Sequence, residues 1–132
     1  MMGFKLPTIT AEVDCAPIGY PGLLVEVVLN PTYTEHVFPW ETAANPAQER
    51  ERILREEPWQ AELYYAWGRT IRRITFPPAM ADSGRAETVD LGSAQAVYRL
   101  MTTDGFEQHI IVWAEQQRQK LRRERLEAEI KN

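Results

Sequence analysis

The residues able to do acid–base or nucleophilic chemistry are few: His36 with Glu35 beside it, His109, and Cys15. Metal sites call for His or Cys at short fixed spacings, and two distant histidines with a single cysteine offer none. A general base needs a partner within reach, and the spacing identifies none for His36 or His109. Both read as surface or capping histidines. Cys15 lies in a Pro/Gly-containing loop with no neighbouring cation to lower its pKa, so it reads as a structural thiol. Gly19 and Gly22 are followed by no Gly-Lys-Ser/Thr and are turn glycines, not a phosphate loop. The expectation is a protein without catalytic residue, metal or cofactor.

Two clusters remain. Trp59, Tyr64, Tyr65 and Trp67 form the densest aromatic group, but Glu56, Glu57 and Glu62 stand among the rings and would repel phosphates. Base-stacking platforms interleave aromatics with a basic groove, so core packing with one exposed interface patch is the better reading. Residues 118–132 carry six basic side chains (Arg118, Lys120, Arg122, Arg123, Arg125, Lys131) against Glu124, Glu127 and Glu129, which makes them +3 and the remainder -7. Arg118, Lys120, Arg122, Arg123 and Arg125 could form a nucleic-acid arm. The glutamates at helical spacing favour instead a solvated helix that docks on, or coils with, another subunit.

The elements that must position these residues follow from length and pattern. At 132 residues, with 44% hydrophobic and 26% charged, the chain is one globular domain. The longest apolar runs span a few residues, far short of the roughly 20 needed to cross a bilayer. The start, Met-Met-Gly-Phe-Lys-Leu-Pro, lacks a signal-peptide pattern, and a lone cysteine suits a reducing compartment, so a cytoplasmic location is expected.

Thr8–Asp14 alternates, placing Ile9, Ala11 and Val13 on one face of a strand. Leu23–Leu29 is a second strand, joined to the first by an antiparallel hairpin loop, Cys15–Gly22. Its second face, with Leu24 and Val28, is more apolar than solvent asks for, so something must cover it. Asn30-Pro31 is a helix-start signal for a short helix that cannot pass Pro39. Asn45-Pro46 repeats the signal before a charged helix, Ala47–Glu57, anchored by Ile53 and Leu54. Trp59, Leu63, Ala66, Trp67, Thr70, Ile71 and Ile74 fall on one stripe and predict a helix from Pro58 to Ile74. Thr88–Leu91 is a lesser pairing with Ile74–Phe76 that the expected architecture leaves out. Ser93 caps a helix over Ala94–Thr102, and a last helix runs from near Phe106 to Lys131, its second half projecting. The expected fold is α+β: a two-stranded hairpin (1–30) on a helical body (31–117), with a charged helix end (118–132).

The order strand, Gly19-Tyr20-Pro21-Gly22 turn, strand Leu23–Leu29, Asn30-Pro31 and then helices, with Thr32–Trp40 as the first, resembles phage and prophage proteins of the tail-assembly-chaperone type. The likeness covers most of the chain as architecture and about a dozen residues as motif. The charged final helix has no place in that family's pattern. The resemblance implies a non-enzymatic factor in the bacterial cytosol that binds a tape-measure or tail-tube protein; association into a homo-oligomer is a separate option that the pattern leaves open. The expected contact residues are Tyr20, Leu24, Val28, Trp59, Leu63 and Trp67. The alternative is a dimeric nucleic-acid-associated regulator using the basic helix.

Overall fold

The computed structural model describes residues 7–31 and 37–131. Four antiparallel strands, β1 (Thr10–Asp14), β2 (Leu24–Val28), β3 (Ile71–Phe76) and β4 (Glu87–Asp90), lie side by side in chain order. The α+β class stands, but the N-terminal hairpin is half of a larger sheet. Its loop is tight: the Cys15 amide donates to the Leu23 carbonyl at 3.0 Å, and Gly19 and Gly22 take φ of 97° and 85°. Those left-handed angles favour glycine.

Between β2 and β3 the chain inserts α1 (Pro46–Glu56) and α2 (Glu62–Thr70), with a 3-10 turn at Pro58–Gln60. Asn45 caps α1, its side chain accepting from the Gln48 amide. The helix expected to run from Pro58 to Ile74 is therefore divided: its start is the 3-10 turn and its end is β3. Ile71 and Ile74 sit three apart, which imitates helical spacing. In the strand that spacing works because of a bulge. Val27 pairs with Ile71 and Glu26 with Arg73, so Arg72 is the extra residue and both isoleucines face inward, fully buried. β4 then pairs with β3, Ile74 opposite Val89.

α3 (Ala94–Thr102) is capped by Ser93, and α4 (Gln108–Lys131) closes the chain. α4 packs on β1 and β2, α2 on β2 and β3, and α3 on α2. The core between them holds Val13, Val25, Val27, Ile71 and Ile74 from the sheet, Trp67 from α2, Val97 and Leu100 from α3, and Ile110, Ile111 and Ala114 from α4. On the other face Glu12, Glu26, Arg73 and Asp90 line up across all four strands, with Arg73 3.3 Å from Glu26 and 3.8 Å from Asp90.

Asn30 does not start a helix at its place in the structure. Its Oδ1 accepts from the Ile9 amide at 2.7 Å and its Nδ2 donates to the Pro7 carbonyl at 2.8 Å, so the side chain prolongs the β1–β2 ladder. Of the expected helix Thr32–Trp40, residues 32–36, with Glu35 and His36, lie outside the described residues, and 37–40 are not helical.

Candidate protein-binding surface

The expected contact residues do not converge on one surface. Val28 is buried, so this chain itself covers that strand face there, and separately its backbone carbonyl accepts from Arg118 Nη1 at 3.4 Å. Leu24 is half-buried. Trp67 is in the core, its ring edge-on to Tyr64, while Trp59 lies against Tyr98 with centroids 6.4 Å apart. Tyr64 and Tyr98 meet edge-to-face at 5.0 Å, which completes a chain of rings between α2 and α3. Of the aromatic group, Trp67 is thus core and Trp59 and Tyr64 are half-buried packing, while the half-buried Tyr65 lies against Phe38 with centroids 5.1 Å apart. Leu63 alone of the Trp59/Leu63/Trp67 stripe is exposed.

Tyr20 and His109 do meet. Their rings lie 5.6 Å apart, and Glu107 Oε2 stands 2.8 Å from His109 Nδ1. The Tyr20 phenol also donates to Glu107; partial burial, and then that carboxylate, push its pKa up. The cluster ties the hairpin loop to the start of α4, as does Trp113 Nε1 donating to the Asp14 carbonyl at 3.1 Å. Sequence spacing had paired neither Tyr20 nor His109 with Glu107. Beneath the same loop Cys15 is fully buried, and burial, helped by Asp14, pushes its thiol up to about 11. A thiolate nucleophile is disfavoured there.

The basic residues of α4 divide into two sets. Arg118 is buried, with its Nε and Nη2 on Glu115 at 2.8 and 2.6 Å, so it anchors the helix and does not belong to an arm. Arg125 is half-buried and pairs with Glu129 at 3.0 Å. Lys120, Arg122 and Arg123 are exposed. Beyond Leu121 every described side chain of α4 except Arg125 is exposed, and among them Leu126 is 41% and Ile130 84% accessible. Leu126 and Ile130 stand four apart, on one face of a charged helix end.

Among the described residues no group of three His, Cys, Asp or Glu is placed to hold a metal ion, and no helix is long and apolar enough to cross a membrane. No family model matches the chain, and neither curated proteins nor solved structures give a match.

Proposed function

We propose that the protein works by non-covalent binding of another protein, and that the far half of α4 makes the contact. The observation that carries this is the exposure of Leu126 and Ile130 on a helix whose first half is locked into the core through Ile110, Ile111 and Ala114. A rigid base presents the free end in a defined direction, which lowers the entropy cost of docking. The strand–turn–strand order ending at Asn30-Pro31 extends the proposal to a tail-assembly chaperone, whose partner is a long helical tape-measure protein. Burial of Leu126 and Ile130 would supply affinity, and the surrounding charges orientation.

The test is co-expression with the tape-measure protein of the same genome. A complex is expected on size exclusion at high salt, and Leu126→Glu with Ile130→Glu should abolish it. A wild-type chain that elutes alone sinks the chaperone reading. The nucleic-acid reading rests on one observation, the exposed run Lys120, Arg122 and Arg123. A labelled duplex bound at low salt and released at moderate salt would support it.

A further inference from the structure

The outward side of α4 carries a repeat of its own. Ile111, Ala114, Arg118, Leu121 and Arg125 are buried or half-buried and mark the side turned to the body. Opposite them Val112, Gln116, Gln119, Arg123, Leu126 and Ile130 are all exposed. Their spacing of four and three in alternation is the a/d repeat of a coiled coil, and it holds along the whole helix. The apolar members, Val112 (38% accessible), Leu126 and Ile130, stand at the two ends of this stripe.

We propose, on the protein-binding reading above, that the partner of this stripe is a second copy of the chain, with the two α4 helices parallel and the bodies facing outward. Charge selects both occupant and direction. In a parallel pair each residue just before an a position faces the one just after a d position, five further on, in the other helix. That sets Arg122 against Glu127 of the second copy, twice by symmetry, and brings Lys120 of the second copy to the Glu115 carboxylate. In the antiparallel pair that would seat Val112 on Ile130, Arg122 meets Arg122, Lys120 meets Lys120 and Glu115 meets Glu129. All three of these charged flanking pairs are repulsive.

Gln116 and Gln119 hydrogen-bond across the seam of the parallel pair. Arg123 meets its own copy there, which weakens the association and limits it to two strands, where a long cationic side chain can leave the seam for solvent. With half the seam polar, a dissociation constant on the order of 10 µM is expected.

Sedimentation equilibrium of the full chain tests this. The mass should rise from one chain to two across the micromolar range. Leu126→Glu with Ile130→Glu should hold it at one. Because those side chains lie outside the core, circular dichroism should show the fold unchanged. Arg122→Glu should weaken the dimer about tenfold, and adding Glu127→Arg should restore it. Gln116→Cys should oxidise to a disulfide-linked dimer, because parallel helices bring each residue to its own copy, while buried Cys15 stays reduced.

A single-chain mass at concentrations well above the expected constant overturns the proposal. So does a dimer in which Gln116→Cys fails to cross-link. A monomer that still captures the tape-measure protein would remove the dimer and keep the protein-binding reading. A parallel dimer that captures none would keep the dimer and confine binding to self-association.

Discussion

At the residue scale Gly68 shows how packing overrules propensity. An alanine there gains about 1 kcal/mol of helix propensity. Its Cβ, however, would lie 2.5 Å from the Ser93 carbonyl carbon and 2.9 Å from the Ala94 Cα, where α3 starts against α2. Backbone cannot step aside as a flexible side chain does, and overpacking costs typically 1–3 kcal/mol. Gly68→Ala should therefore lower the unfolding free energy by about 2 kcal/mol, read from the urea midpoint at constant slope. Asn30→Ala removes the two bonds that continue the β1–β2 ladder, and should cost about 1–2 kcal/mol. Faster amide exchange at Ile9 would locate the loss. Cys15 gives a pH signature. Its folded pKa, raised by burial from an ordinary 9.0 to about 11, means that the folded state keeps a proton which the unfolded state gives up. The thiol's contribution is fully present below pH 9 and is lost as pH rises to about 11. The stability advantage of wild type over Cys15→Ala should shrink by about 2 kcal/mol across that window. An advantage independent of pH would show that the thiol is not held protonated.

At the element scale, what was legible in the chain divides by the kind of signal. Asn45 and Ser93 announce α1 and α3 because a capping side chain acts within three residues, on Gln48 and Ala96. β1 shows clean alternation, β2 is an apolar run bounded by turn signals, and α4 is long enough to be plain. β3 was hidden because the bulge at Arg72 sets Ile71 and Ile74 at a helical interval, and α2 passes into it with no loop to mark the change. β4 showed only as a lesser pairing of Thr88–Leu91 with Ile74–Phe76, a pairing the structure does contain, because all its residues are exposed and it has no apolar rhythm to read. The site was less legible than the fold. Val28 looked like a contact for a partner, and Arg118 like part of a basic arm. Arg118 is buried where it reaches the Val28 carbonyl, ninety residues away, a contact that no local pattern encodes. That contact makes its own prediction. Arg118→Met leaves the half-buried Glu115 carboxylate without its bidentate partner, and should cost about 2 kcal/mol of stability. Arg122→Met, on the exposed side, should change stability by under about 0.5 kcal/mol. If the two variants unfold alike, Arg118 is not an anchor.

At the scale of the whole molecule, the sheet, α2 and α3 form one packed unit, and α4 belongs to it only in part. Its body-facing stripe ends in side chains that pass from fully buried Ile111 and Ala114 to half-buried Leu121 and Arg125. Past that point helix formation gains nothing from this chain's own core. An isolated helical end of such length is marginal in water unless something pairs with it. Stability and binding should therefore separate along the chain. A chain stopped after Leu121 keeps every residue of the central core, so its unfolding free energy should fall by less than about 1 kcal/mol. The same chain lacks Leu126 and Ile130 and should bind neither a second copy nor a helical partner. The reciprocal change, Ile111→Ala, removes a fully buried side chain and should cost about 3 kcal/mol while leaving the outward stripe intact. At a temperature where that variant is still folded, it should associate as wild type does. Loss of association in both variants, in step with stability, would mean that the far half of α4 serves the fold and is not a contact surface.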